Sequence, residues 1–350
     1  MKFTGVNLAS SQRPRLVPPP GFSLTELLVV IAVLTILLGL MLPALAGTIE
    51  TSRQLACAST HRTLAQGLVQ YTSSNDEWIP GYATSGRSLW YQPSPRAIYW
   101  ISRTPDAPVQ VNDWVSPSIG ATELPADRDA RFYEILERFA DPSMSERVPL
   151  WTGSDRGGRS LADWMDRNDK PLPPGIARLM PASFQVFGGG YNRSLITPWS
   201  SIKLQELLRS FRIPDAYRPQ VTLVGTPSRK AAFADGFRYL SQLHSDFDAS
   251  WSHQNWGSFS ERSPCDIDSR AWGRRGGGGT GFNIPLAYRH RGRMNVAFFD
   301  GHSEALDVKQ SRNPVYWAPS GSTLRPLIAS EPDVASHGYN PTDPQRRTLE

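Results

Sequence analysis

The sequence predicts an α+β protein: one long N-terminal helix carrying a globular domain built on an antiparallel β-sheet with long loops. Three observations predict it. An apolar run extends from Phe22 to Leu45. A helical stripe follows, with Cys57, His61, Leu64, Leu68 and Tyr71 at spacings of four, three, four and three. Near the other end, Met294–Phe299 reads as a strand entering an Asp300-Gly301 hairpin turn, because glycine tolerates the positive φ such a turn demands.

The run over 22–45 is long enough to cross a bilayer, which takes about 20 residues. Only Glu26, Thr35, Gly39 and Pro43 interrupt it after its first residues. A carboxylate at membrane depth is costly and needs a partner, so Glu26 is a functional candidate. Alternatively it snorkels to the headgroups, since it lies near the start of the helix. Residues 1–21 carry Lys2, Arg13 and Arg15 and no acid, which keeps this leader cytoplasmic and sends the C-terminus outward. These three residues supply more than half of the chain's net charge of +5, so the rest is close to neutral and does not form a dedicated nucleic-acid surface. Pro18-Pro19-Pro20 keeps the end of the leader extended.

The helix is expected to continue to about Asn75, apolar all round over 22–45 and amphipathic over 46–75. Thr72-Ser73-Ser74-Asn75 and Pro80 mark its end. His61, alone on the inward face, reads as a satisfied core residue. The globular domain then spans 76–330, with a flexible polar tail over 331–350. Within it, 130–140 and 201–211 read as short amphipathic helices, while 150–175 and 264–280 read as loops rich in Gly, Arg, Asp and Pro. Ala231–Gly236 echoes Val296–Gly301, and both read as buried strands of one sheet running into an Asp-Gly turn.

No Gly-x-Ser-x-Gly, His-Glu-x-x-His or Cys-x-x-Cys pattern occurs, and no catalytic residue is assigned. Gly276–Gly279 lacks a following Lys-Ser/Thr and is not a phosphate loop. His244 and His253, with Asp246 and Asp248, read as a surface loop. The eleven tryptophans, all between Trp78 and Trp317, suit core and loop packing more than sugar stacking. In an exported chain, Cys57 and Cys265 permit one disulfide or two separately buried thiols.

Gly21-Phe22, Glu26, the apolar run and Pro43 together resemble the cleavage and methylation signal of type IV prepilins and type II secretion pseudopilins. The resemblance implies cleavage between Gly21 and Phe22 by prepilin peptidase and N-methylation of Phe22. It also implies a pilin-like stem fold and a single-pass protein of the cytoplasmic membrane with its domain outside. It places Glu26 fifth and Pro43 twenty-second in the mature chain, and pairs Glu26 with the Phe22 amine of a neighbouring subunit during filament assembly. A Sec-type cut near Leu45-Ala46-Gly47 is the competing processing route.

From His290 there are nine residues before Asp300-Gly301. This resembles the H-X9-DG element at the C-terminal end of a prepilin-like group best known from planctomycetes. The likeness covers about residues 21–80 and 285–308. Ten residues of straight strand span about 33 Å, so His290 and Asp300 touch only if Arg291-Gly292-Arg293 folds back. The element reads as a structural hairpin, with Asp300 capping the turn and His290 bonded to a neighbouring loop. A calcium site from Asp300 with Asp235 and backbone carbonyls, or zinc at His290, His302 and a third histidine, are the metal alternatives. No other cofactor is implied. Two functions remain: a structural or minor subunit of a pilus-like or pseudopilus assembly, with other pilin-like subunits and the bilayer as partners, or a membrane-anchored binding protein that displays a glycan- or polymer-recognising domain.

Overall fold

The computed structural model describes residues 23–81, 104–110, 112–119, 124–144, 150–151, 156–174, 178–185, 210–237, 247–248, 259–267, 269–273 and 284–350. Gly21 and Phe22 lie outside these residues, as do most of the proposed 201–211 helix, the Gly276–Gly279 run and the His244/His253 pair. The chain divides into two compact units, Met1–Ile49 and Glu50–Glu350.

Helix α1 runs from Leu24 to Ser74, within two residues of the expected limits. In the first unit its apolar side chains are exposed, from Leu24 at 81% to Leu45 at 55%. This stretch is long and apolar enough to cross a membrane. Ser23 and Glu26 start the helix with a reciprocal cap. The Ser23 amide and hydroxyl donate to Glu26 Oε2 at 2.8 and 2.7 Å, and the Glu26 amide donates to Ser23 Oγ at 3.2 Å. Thr35 returns its hydroxyl to the Ala32 carbonyl, so its polar group is satisfied inside the helix. Pro43 lies within the helix.

In the second unit the helix is one-sided, as its spacing predicts. Cys57, His61, Leu64 and Leu68 are buried and Tyr71 is half-buried. Asp76 and Glu77 then take positive φ values and turn the chain out of the helix. The Ile79 amide bonds Pro219 O, which ties the end of the helix to the domain.

Further on come α2 (Val115–Ile119), α3 (Arg128–Arg138), β1 (Leu150–Trp151), α4 (Arg156–Arg167), β2 (Arg178–Pro181), β3 (Phe211–Arg212), β4 (Ala231–Asp235), β5 (Phe247–Asp248) and β6 (Ser260–Glu261). After these come α5 (Ile284–Ala287), β7 (Arg293–Phe298), β8 (Ser303–Asp307), α6 (Val308–Ser311), β9 (Thr323–Leu324), α7 (Pro326–Ala329) and α8 (Pro332–Ala335). The domain is thus α+β. Its main sheet has the order β6-β2-β4-β7-β8, antiparallel except for the parallel β2–β6 pair. The two echoing strands are neighbours: β4 runs antiparallel to β7 with Ala234 opposite Val296. Phe233 on β4 stacks on Trp114 at 4.5 Å and meets the His61 ring at 5.1 Å, which seats the helix face on the sheet.

Three expectations are corrected. The 150–175 stretch contains α4, which buries Leu161 and Met165 one turn apart and sets Trp164 against Tyr133 at 5.5 Å. So few apolar positions among Gly, Arg and Asp conceal a helix whose packing supplies its stability. Phe211 closes no helix; it is a strand residue paired with Leu324. The tail from Glu331 is folded. Val334 and Leu349 are buried, and Leu349 exchanges backbone bonds with Ser322 and Gly321. Its polar composition hid these two anchoring side chains.

Candidate functional site: a buried charge cluster where the helix meets the sheet

Three antiparallel strands bring polar groups to one end of the sheet. Arg178 opens β2, Asp235 closes β4 and Asn295 lies near the start of β7. Arg178 and Asp235 are cross-strand partners, so the register itself forms the pair. Helix α1 lays Cys57 and His61 over this end, and Asp141, Arg289 and His290 reach it from connecting segments. Seven of these residues are buried, and the Arg289 side chain is only 5% exposed.

Asp235 is the centre. His61 Nε2 donates to its Oδ1 at 2.9 Å, Arg178 Nη1 lies 3.1 Å away, and the Asn295 amide donates to Oδ2 at 2.9 Å. Burial opposes its charge, but His61, Arg178 and Arg289 hold the carboxyl well below the usual carboxylate range. Asp141 Oδ2 receives Arg289 Nη2 and His290 Nε2, each at 3.1 Å. Burial again opposes the charge and is outweighed by the His290 hydrogen bond and the two arginines. His290 Nδ1 lies 3.2 Å from Glu50 Oε1 on α1. Both His290 nitrogens therefore face carboxylates, and only the imidazolium donates from both. Three acids (Asp141, Asp235, Glu50) then face three cations (Arg178, Arg289, His290). Burial keeps His61 below its ordinary pKa, which fits a neutral ring.

Cys57 Sγ accepts from Arg178 Nη2 at 3.3 Å and Asn295 Nδ2 at 3.1 Å, and lies 3.5 Å from both Asp235 oxygens. Burial, with Asp235 next in effect, pushes this thiol up, which keeps it protonated and unreactive. Cys265 sits elsewhere, buried beside Ser263 Oγ at 3.0 Å. Both cysteines are free and buried in the structure.

Donor atoms of Cys57, Asp141, Asp235 and His290 lie within 4.8 Å of one another, close enough to suggest a metal ion. Their partners oppose that reading. Arg178 and Arg289 bond the sulfur and carboxylates that a metal would need, and a divalent ion would sit between two guanidiniums. The calcium site expected from Asp300 and Asp235 is not assembled either. Asp235 bonds the Asn295 amide, and Asp300 lies five residues beyond Asn295, a strand length of about 16 Å. The same separation keeps His290 and His302 apart.

The nine-residue spacing now has a physical meaning. Arg291 and Gly292, both at positive φ, fold the chain back so that His290 and Arg293 form an antiparallel bridge. Strand β7 then carries the chain to the other end of the sheet, where Asp300 Oδ1 accepts from the His302 amide and faces its ring nitrogen. His290 and Asp300 thus mark the two ends of one strand. The sequence found Cys57, Asp235 and His290 by three unrelated arguments, and the fold brings them together. It leaves Cys265, Asp300 and Gly301 outside. Sequence reasoning missed Asp141, Arg178, Arg289, Asn295 and Glu50. Arg178, a lone charge opening the apolar Leu179-Met180, was the one visible signal. No family model matches the chain, and no curated protein or solved structure is significantly similar to it.

Proposed function

We propose that this is a prepilin-like protein, cut between Gly21 and Phe22 by prepilin peptidase and methylated at Phe22. It acts as a structural or minor subunit of a pilus-like or pseudopilus assembly. The observation that carries this reading is helix α1 itself: exposed and apolar over its first half, one-sided and domain-bound over its second. An exposed apolar helix needs lipid or like helices around it, and filament assembly exchanges the first for the second. Orientation with the domain outside the cytoplasmic membrane follows from the basic leader.

The reading makes Glu26 a switchable group. Its carboxylate caps its own helix through Ser23, and pairing with a neighbour's Phe22 amine would exchange or share those bonds. The buried cluster supports a structural role: its thiol is held protonated and each of its carboxylates faces a cation, Asp235 through Arg178. Catalysis is not part of the proposal.

Mass spectrometry of the mature N-terminus tests the processing. N-methylphenylalanine at position 22 is expected, and a start at Met1 or near Gly47 would overturn the proposal. A Glu26→Leu variant is expected to be cleaved normally and to drop out of sedimentable filaments. Normal incorporation would remove the pairing role. Correct processing with no assembly, and binding of a glycan or polymer by the domain, would favour the anchored binding protein instead.

A further inference from the structure

We infer that His290 is a pH-sensitive latch that fastens the root of the helix, at Glu50, to the buried Asp141 of the domain. The inference rests on the Glu50–Glu350 unit alone and is independent of how the N-terminus is processed.

The geometry is a carboxylate–imidazole–carboxylate chain, Glu50–His290–Asp141, with contacts of 3.2 and 3.1 Å. Every group facing it bears on the outcome. From α1 come Glu50, Cys57 and His61; from β2, Arg178; from β4, Asp235; from β7, Asn295. The segment after α3 supplies Asp141, and Arg289 adjoins His290 in the chain. The ring is otherwise buried, whereas the Glu50 side chain is a quarter exposed. Burial opposes the ring's charge, but its bond to Asp141 and the nearby carboxylates raise its pKa overall.

Asymmetry of the two carboxylates sets what happens on deprotonation. A neutral imidazole keeps one N–H. Asp141 is buried and held by Arg289, so it cannot be left facing a lone pair, and the proton stays on Nε2. Nδ1 gives its proton to solvent and its lone pair then faces Glu50. Glu50 can accept water in exchange, so this contact is the one that opens. Arg291 Nη2, 3.4 Å from Thr51 Oγ1, is a weaker second tie at the same place. The sign follows: a raised pKa stabilises the closed form fully below about pH 6.5, and the contribution fades as pH rises through the folded value. The latch closes in acid and loosens in alkali.

The test uses the full chain in detergent micelles, wild type and Glu50→Gln. Glu50 is partly exposed and away from the core, so this variant is expected to fold. Backbone amide exchange over residues 50–56, corrected for base catalysis, is read from about pH 6 to about pH 9. In the wild type it is expected to rise severalfold as the Glu50 contact opens. In Glu50→Gln it is expected to be fast throughout and flat. Imidazole nitrogen NMR should show both His290 nitrogens protonated at the acid end, with Nδ1 losing its proton and its midpoint lowered in the variant. A ring that is neutral at about pH 6, or equal exchange in both proteins at every pH, would overturn the latch.

Discussion

Asp235-Gly236 and Asp300-Gly301 end two strands of nearly the same sequence, and they do opposite things. Because β4 and β7 are antiparallel neighbours, their C-terminal ends lie at opposite ends of the sheet. Asp235 meets helix α1 in the dark, fully buried among His61, Arg178 and Asn295. Asp300 meets solvent and bonds His302, whose ring stacks on Phe298 at 4.3 Å. The glycines differ too. Gly301 has φ of +90 and open space where a Cβ would stand, so backbone conformation requires it. At Gly236 a Cβ would meet Leu179 at 2.7 Å, so close packing requires it. One dipeptide thus serves a buried ionic anchor and an exposed turn, and only strand direction tells which.

Breaking the two aspartates should give the largest contrast. Asp235→Ala leaves Arg178 without its counter-charge and His61 Nε2 without its acceptor, and is expected to cost about 3–5 kcal/mol. Asp300→Ala removes two exposed contacts to His302, at no more than about 1 kcal/mol. Denaturant midpoints of the solubilised protein measure both, and equal losses would refute the division of labour. The glycines come next. Gly236→Ala should cost about 1–3 kcal/mol through crowding, and Gly301→Ala about 1–2 kcal/mol through backbone strain. Asparagine separates the causes, because it tolerates the left-handed region and should rescue position 301 while worsening position 236.

Acid should act on the buried end. His61 is held below its ordinary pKa, so its contribution is present above about pH 6.5 and is lost as pH falls through the folded value. The depressed carboxyls of Asp141 and Asp235 contribute above about pH 3.9 and lose that on further acidification. A His61→Gln variant should therefore flatten the first part of the acid limb in a plot of melting temperature against pH. An unchanged limb would mean that His61 is not neutral in the fold. The smallest effect concerns sulfur. Reductant should leave the melting midpoint where it is, whereas a disulfide would have contributed about 2–4 kcal/mol.

Much of the scaffold was legible because it rests on local periodicity. Leu24–Ser74 shows its apolar and amphipathic halves directly, Cys57 to Leu68 name its buried face, and Asp300-Gly301 announces its hairpin. Helix α3 was legible for the same reason, whereas its cap, the Asp127 side chain, was not read from the sequence. Helix α4 was not, because Leu161 and Met165 stand among charged and glycine residues that dilute the pattern. The cluster was legible only as fragments. Cys57 suggested a disulfide, Asp235 a cation site and His290 a motif, and each had a partner that the sequence could not name.

By itself, then, the chain determined a long apolar-to-amphipathic helix, an α+β domain after it, and the hairpin that spaces His290 from Asp300. Those depend on contacts between residues a few positions apart, which the order of residues encodes openly. Tertiary structure alone decided that Asp141, Arg178, Asp235 and His290 share one buried site and that Cys265 does not. Those contacts join residues up to 240 positions apart, as Glu50 and His290 show. They exist because strand register and helix docking place them, and the low-dielectric interior then makes every charge there require its partner.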